Sequence, residues 1–199
     1  MTAAAKTEAE LFDALAERYC APRHILLPHV RNATGWNGQR TADALALELW
    51  PMDGMHLIGF ELKSSRSDWL RELKQQRKHE AVAQFCDAWI VVAGAADIVR
   101  DGELPVGWGL MVWGEGGLRA KVAPTERSPA MVTREFLAAI VRRALACSPH
   151  GLAVETRAKE IGEQRVREAR QAERDARNEA RNWKARFENM GRLSTEALP

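Results

Sequence analysis

The sequence predicts an α/β protein in which a mixed β-sheet is flanked by helices and a long helix follows at the C-terminus. Three segments with strand-like alternation follow one another over short links, which favours an antiparallel meander. An amphipathic segment and a nearly continuous apolar segment come next, as expected of a crossover helix leading to a parallel strand. The composition then changes to Ala, Arg and Glu. We therefore expect a domain over residues 1–150 and a helical tail over residues 151–199.

The first part of the domain predicts one helix and three strands. Apolar residues recur with helical spacing over residues 6–19. Strand-like segments cover residues 23–32, 42–50 and 56–63, and a polar connection that contains glycine covers residues 33–40. The sequence Pro51-Met-Asp-Gly54 is a turn signature between the second and third strands.

The second part predicts two further helices and three strands. Ser65 followed by Asp68 has the spacing of a capping box, so a helix is expected from Ser65 to about Phe85. Its expected buried residues are Trp69, Leu70, Leu73, Ala81 and Phe85. Residues 87–93 predict a buried strand, residues 104–113 and 118–122 a hairpin, and residues 131–146 an amphipathic helix.

Composition and charge narrow the class of protein. Hydrophobic residues make up 46% and charged residues 28% of the chain, as in soluble globular proteins. No apolar segment has the length of a membrane span, and residues 1–16 lack the apolar core of a signal peptide, so we expect a cytoplasmic protein without a membrane partner. Cys20, Cys86 and Cys147 form no CxxC pair and are expected to be buried, reduced thiols.

The net charge alone does not indicate a nucleic-acid partner. Of the 29 Lys and Arg and the 27 Asp and Glu, 11 and 9 lie after residue 150, so the first 150 residues carry 18 of each. A neutral domain of this kind can still bind DNA through a local basic patch.

Charged residues stand where a buried strand would be apolar. Glu61 and Lys63 share one face of the third strand because they are two residues apart, while Phe60 and Leu62 face the other way. Asp43 begins the preceding strand, and pairing across the turn brings that start beside the end of the third strand. We expect Asp43, Glu61 and Lys63 to converge at one edge of the sheet.

This convergence has a chemical interpretation. Two carboxylates close together repel each other unless a cation lies between them, and Mg²⁺ (or Mn²⁺) takes oxygen ligands and activates bound water. Lys63 could orient that water or offset charge on a phosphate, and the helix that begins at Ser65 adds a positive dipole end. Taken separately, Asp43 could be a turn residue and Glu61 and Lys63 a solvated strand end, but these readings explain the convergence poorly.

Three segments, RTADALAL, GFELKSSRSDWLRELK and CDAWIVVA, resemble the PD-(D/E)XK, or restriction-endonuclease-like, nuclease superfamily, in particular its small bacterial and phage-type members. The resemblance covers residues 6–93 and, more loosely, the chain up to residue 146. It implies an αβββαβ core in which Asp43 and Glu61 bind Mg²⁺ and Lys63 assists phosphodiester hydrolysis. The Leu62 backbone carbonyl would be a further metal ligand.

The sequence also departs from the pattern of this superfamily. Asp43 follows Ala42 instead of proline, which is a frequent variation. No single acid stands out on the first helix, where Glu10 and Glu17 are both candidates and such acids are usually solvated.

Five residues are candidates for contact with nucleic acid: Arg40, Arg66, Lys74, Lys78 and Trp36. Arg66 could bind a phosphate bidentately or be a surface residue at a helix start. Lys74 and Lys78 continue a basic stripe from Arg71, which is either a phosphate-binding surface or a solvated face. Trp36 lies in a polar loop and could stack on a base, whereas four other tryptophans are expected in the core: Trp50, Trp69, Trp89 and Trp113.

These observations predict a Mg²⁺-dependent nuclease that hydrolyses DNA phosphodiester bonds in DNA repair, recombination or phage DNA metabolism. The alternatives are an inactive DNA-binding or adaptor protein that keeps the fold, and a scaffold built on the tail. The tail has a narrow coiled-coil seam that could join a homodimer or a partner protein, or it is a solvated helix with ion pairs. The seam comprises Ala169, Ala172, Ala176, Ala180, Trp183, Phe187 and Met190.

Overall fold

The computed structural model of the protein describes residues 5–38, 40–74, 80–125, 127–148, 157, 159–179 and 181. Contacts within the chain divide it into two units, residues 1–147 and residues 148–199. The first unit contains the sheet and the second contains the tail.

A six-stranded mixed sheet forms the centre of the first unit, and its strands lie in the same order as in the sequence. The strands are β1 (His24–Arg31), β2 (Thr41–Glu48), β3 (Leu57–Lys63), β4 (Ala88–Ala93), β5 (Gly109–Gly114) and β6 (Gly117–Val122). Strands β1, β2 and β3 pair antiparallel, β4 pairs parallel with both β3 and β5, and β5 and β6 form an antiparallel hairpin. The predicted α/β class with a mixed sheet, a meander and a crossover is confirmed.

Among the described residues, four helices accompany the sheet: α1 (Glu8–Arg18), α2 (Arg66–Leu73), α3 (Glu80–Ala83) and α4 (Arg134–Cys147). The helix predicted over residues 65–85 is replaced by α2 and the short α3, and residues 75–79 between them lie outside the described residues. Helix α2 starts where expected because the Ser65 hydroxyl accepts a hydrogen bond from the backbone N–H of Asp68 at 3.2 Å.

Successive strand residues point to opposite faces of the sheet, and their apolar side chains form a core on each face. On one face, Leu11 and Leu15 of α1 pack with Phe60, Leu62 and Val92. On the other face, apolar side chains of α2, α3 and α4 pack against those of the strands. The buried residues of this face include Trp69, Val82, Phe85, Trp89, Val91 and Phe136. Each such side chain contributes about 1.5–3 kcal/mol when fully buried. Helix α2 is therefore fixed on the sheet face from which Glu61 and Lys63 project.

Several residues predicted to be buried are exposed. Trp50 is 54% exposed, because it lies in the turn after β2, where its indole N–H donates to the Pro22 carbonyl at 2.9 Å. Leu70 is 41% exposed, since the inward face of α2 is taken by its neighbour Trp69. Cys20 and Cys147 are exposed at or after helix ends, and only Cys86 is buried as predicted.

The described residues of the tail are helical and exposed, and the predicted long C-terminal helix is confirmed. Pairs such as Arg177–Glu173, at 2.7 Å, join residues one turn apart. Four residues of the predicted seam, Ala180, Trp183, Phe187 and Met190, lie outside the described residues, so the coiled coil stays a prediction. Within the described part of the chain, no helix is both long and apolar enough to cross a membrane.

Candidate active site at the end of strand β3

Asp43 and Glu61 meet across the β2–β3 pair. Ala44 is opposite Phe60 in this antiparallel ladder, and continuing the register by one residue places Asp43 opposite Glu61. The Asp43 carboxylate accepts a hydrogen bond from the Leu62 backbone N–H at 2.9 Å, and the Glu61 carboxyl group lies close enough to raise the pKa of Asp43. The structure therefore brings the two predicted metal ligands together.

Lys63 lies beside this pair of carboxyl groups. Its Nζ is 2.5 Å from Glu61 Oε1, and the residues are only 4% and 5% exposed, respectively. Taking charges out of water is costly unless they are paired and hydrogen-bonded. Glu61 and Lys63 are thus not a solvated strand end but two ionisable groups within the protein.

Two further acids approach Lys63 from helix α2. Glu72 Oε2 lies 3.1 Å from Lys63 Nζ, and Asp68 Oδ2 lies 3.6 Å from it. The capping-box spacing predicted only a capping role for Asp68, and no role was predicted for Glu72. Their separation of four residues, one turn apart on a helix that starts directly after β3, was the signal for both. We call Asp43, Glu61, Lys63, Asp68 and Glu72 the acid–lysine cluster.

The environment shifts the pKa of two members of the cluster. Burial, and then the charge of Glu61, raises the pKa of Asp43 to about 6, against the opposing effects of the Leu62 N–H and of Lys63. Burial alone would lower the pKa of Lys63, but the carboxylates of Glu61, Asp43 and Glu72 outweigh it and raise that pKa. Lys63 therefore stays charged, whereas Asp43 holds a proton more readily than an ordinary aspartate.

This donor set fits a hard divalent cation. Two carboxylates this close repel each other when both are ionised, and a cation bound between them offsets that repulsion. Proteins commonly hold Mg²⁺ through one or two carboxylates while several waters complete the octahedron. In the described part of the chain, no three His, Cys, Asp or Glu side chains are grouped so as to hold a metal. Asp43 and Glu61 would thus be the side-chain ligands, and the role of the Leu62 carbonyl stays a prediction.

Arg66 is half-buried and paired with other residues of the protein. Its guanidinium forms a bidentate pair with the Glu103 carboxylate and also donates to the Ile98 carbonyl at 2.9 Å. The arginine lowers the pKa of Glu103 to about 2 through these hydrogen bonds. Arg66 was predicted either to bind a phosphate or to be a surface residue; this pairing, which neither prediction included, ties the start of α2 to the loop after β4, and the phosphate contact stays a prediction.

The other candidate nucleic-acid contacts are spread over the surface. Arg40 is exposed before β2, Lys74 is exposed at the end of α2, and Trp36 is 98% exposed in a 3-10 turn. Lys78 lies outside the described residues.

The two candidate acids of α1 have different surroundings. Glu10 forms a capping box with Thr7 and an ion pair with Lys6 at 2.7 Å, which accounts for its presence on the helix. Glu17 is exposed. The structure thus gives Glu10 a role in starting α1.

Fold and site together define a class: an α/β domain with a six-stranded mixed sheet and, at the end of its third strand, an acid–lysine cluster centred on the buried Glu61 and Lys63. No protein family and no curated protein matches the chain. A solved structure with a similar fold is the SPO1766 protein of unknown function from Silicibacter pomeroyi, with 19% sequence identity and a TM-score of 0.50 over 71% of this chain and 90% of that chain. This likeness concerns the fold alone.

Proposed function

We propose that the protein is a magnesium-dependent nuclease that hydrolyses DNA phosphodiester bonds in repair, recombination or phage DNA metabolism. The observation that carries the proposal is the contact between the Asp43 and Glu61 carboxyl groups beside the buried ammonium of Lys63. The resemblance of the surrounding segments to the PD-(D/E)XK superfamily supports it. We expect the protein to act in the cytoplasm, where its three free cysteines would stay reduced.

A purely structural ion pair would not need the second carboxylate. Glu61 alone balances the charge of Lys63 at 2.5 Å, whereas Asp43 adds a negative charge that burial and Glu61 both disfavour. Strongly perturbed carboxyl groups of this kind are typical of functional sites. A site that binds a metal cation between the two carboxylates explains the presence of Asp43 beside Glu61.

Three residues of the cluster, Asp43, Glu61 and Lys63, have definite tasks in the proposed reaction. Bound Mg²⁺ supplies a Lewis acid that lowers the pKa of water and offsets phosphate charge. Asp43 and Glu61 would hold the ion through their carboxylate oxygens. Lys63, kept charged by its neighbours, would stabilise the negative charge that develops on the phosphate.

DNA contacts are proposed for the exposed basic residues Arg40 and Lys74, and for Lys78. Phosphate contacts of this kind supply affinity without reading sequence. DNA affinity should therefore fall as the salt concentration rises, because binding releases counterions.

The test is cleavage of plasmid and single-stranded DNA with Mg²⁺ or Mn²⁺, and of RNA in parallel. Wild type is compared with Glu61→Gln, Lys63→Ala and the exposed control Glu115→Gln, each checked for folding by circular dichroism. We expect metal-dependent cutting that the first two changes abolish and the control keeps. Folded wild type that neither cuts any nucleic acid nor binds Mg²⁺ in calorimetry would overturn the proposal and leave the adaptor protein as the better reading.

A further inference from the structure

The Lys63 ammonium is held from two sides. Glu61, on the same strand, lies 2.5 Å from Nζ, and Glu72, on helix α2, lies 3.1 Å from it on the side of the helix. The side chains of Lys63 and Glu72 are 5% and 18% exposed, respectively, so water screens this contact only weakly. One buried ammonium thus has more carboxylate partners than a single ion pair requires.

Bound Mg²⁺ and the Lys63 ammonium would compete for the Glu61 carboxylate. The Glu61 oxygen closest to the ammonium belongs to a carboxylate that Mg²⁺ would also use. A divalent cation on that carboxylate weakens its attraction for Lys63 and adds repulsion of its own. A buried ammonium that loses its carboxylate partner is no longer held in place. The proposed reaction requires Lys63 to be in position while Glu61 binds Mg²⁺.

We propose that Glu72 is a positioning residue that holds the Lys63 ammonium while Glu61 and Asp43 bind Mg²⁺. This inference rests on the proposed nuclease function and assigns a role to Glu72, which has no direct task in the proposed reaction. Glu72 would act through Lys63 and would contact neither the metal nor the DNA.

The helix that carries Glu72 is rigidly placed for this role. Helix α2 begins directly after β3 with its cap at Ser65, and Trp69 in its middle is fully buried against β4 and β5. The Trp69 indole N–H also donates to Glu103 at 3.1 Å. The Glu72 backbone is therefore fixed relative to the end of β3.

Asp68 is the weaker of the two helix acids. Its carboxylate lies 3.6 Å from Lys63 Nζ, farther than that of Glu72, and it also pairs with Arg71 at 3.5 Å. Asp68 is thus shared between Lys63 and Arg71. Glu72 is the residue whose removal should matter most.

The first test observes Lys63 directly by NMR of lysine NH₃⁺ groups in the full chain, with the Lys63 signal assigned by Lys63→Arg. A buried, paired ammonium exchanges slowly with water and gives a visible signal. In wild type we expect the signal with EDTA and with Mg²⁺. In Glu72→Gln we expect it with EDTA, when Glu61 holds the ammonium, and its loss when Mg²⁺ is added. A signal that survives Mg²⁺ in Glu72→Gln would refute the role.

The second test separates turnover from binding. Misplacing a reacting group by about 1 Å can cost about 100-fold in rate, so kcat of Glu72→Gln should fall by about tenfold or more. KM for DNA should stay at the wild-type value, because Glu72 does not contact DNA, whereas the Mg²⁺ concentration for half-maximal rate should rise, because Lys63 and Mg²⁺ then compete for Glu61. A change confined to KM would refute the positioning role.

Two variants keep the result interpretable. Glu72→Asp retains the charge on a shorter side chain and should have an intermediate kcat, which serves if Glu72→Gln does not fold. The exposed Glu115→Gln should behave as wild type. A cutting wild type with an unchanged Glu72→Gln refutes the positioning role alone. A wild type that neither cuts nor binds Mg²⁺ refutes both the proposed function and this role.

Discussion

Replacing Asp43 by asparagine should make the metal-free protein more stable at pH 8 and remove its response to Mg²⁺. Asp43 is held against Glu61 in a largely buried position, where ionisation is unfavourable. Asparagine has nearly the same shape and no charge, and its side-chain oxygen can still accept the hydrogen bond from the Leu62 N–H. The change thus removes the electrostatic cost and keeps the local geometry.

The size of the effect follows from the pKa of Asp43. Burial and the charge of Glu61 raise this pKa from 3.8 to about 6. A difference of about two pKa units corresponds to about 3 kcal/mol by which ionised Asp43 destabilises the folded protein. We expect most of this free energy to be recovered in Asp43→Asn, which corresponds to a rise in Tm on the order of 5–10 °C for a domain of this size.

The gain must depend on pH with a definite sign. Because the pKa of Asp43 is higher in the folded than in the unfolded protein, the folded state binds more protons between pH 3.8 and about pH 6. The stability contributed by this group is therefore present at low pH and is lost as the pH rises through about 6. The advantage of Asp43→Asn should be complete at pH 8 and absent at about pH 4.

Thermal and urea unfolding in EDTA, followed by circular dichroism at both pH values, measures this difference. Mg²⁺ at about 100 times its Kd should stabilise wild type by about 2.7 kcal/mol and should not stabilise Asp43→Asn. Asp101→Asn is the matched control, because the Asp101 side chain is 97% exposed. A loss of stability in Asp43→Asn at pH 8, or a gain that does not change with pH, would refute the reasoning.

Three other predictions concern the fold and the DNA surface. Gly59→Ala should destabilise the protein by about 1–3 kcal/mol, measured by urea unfolding, because the new Cβ would lie 2.2 Å from the buried ring of Trp89. Glu103→Gln should lower Tm, because Arg66 would lose its bidentate partner. Trp36→Ala should weaken single-stranded DNA binding by about 1–3 kcal/mol in fluorescence titrations, as expected for loss of base stacking, with Tm unchanged.

Each of these three has a contrary outcome. Unchanged unfolding of Gly59→Ala would mean that β3 and β4 approach less closely than described. Unchanged Tm of Glu103→Gln would leave Arg66 available for phosphate. Trp50→Ala is the control for Trp36→Ala, since Trp50 is also exposed but follows the opposite end of β2. An equal loss of DNA affinity in both tryptophan variants would exclude specific stacking by Trp36.

The meeting of Asp43 and Glu61 could be predicted because it depends on local rules. The turn after Trp50 joins consecutive strands, antiparallel pairing then fixes which residues are opposite, and the two-residue period puts Glu61 and Lys63 on one face. None of these steps requires knowledge of distant parts of the chain.

The spacing of Asp68 and Glu72 places both on one face of α2, but the contact of Glu72 with Lys63 could not be obtained in that way. Whether an acid on α2 reaches Lys63 depends on how the helix packs, and this is set by Trp69 against β4 and β5, whose residues are distant in sequence. The same limit explains Leu70, which helical spacing assigned to the core. Apolar residues on a short helix compete for one inward face, and the sequence does not show which of them occupies it.

The acid–lysine cluster is encoded in one short stretch of the gene, from the codon of residue 43 to that of residue 72. The hairpin of β5 and β6, helix α4 and the tail contribute none of its members. Insertions and replacements in those later segments leave the codons of every member of the cluster unchanged. The same separation makes the chain a practical scaffold for engineering, in which segments after residue 72 are varied while the acid–lysine cluster is kept.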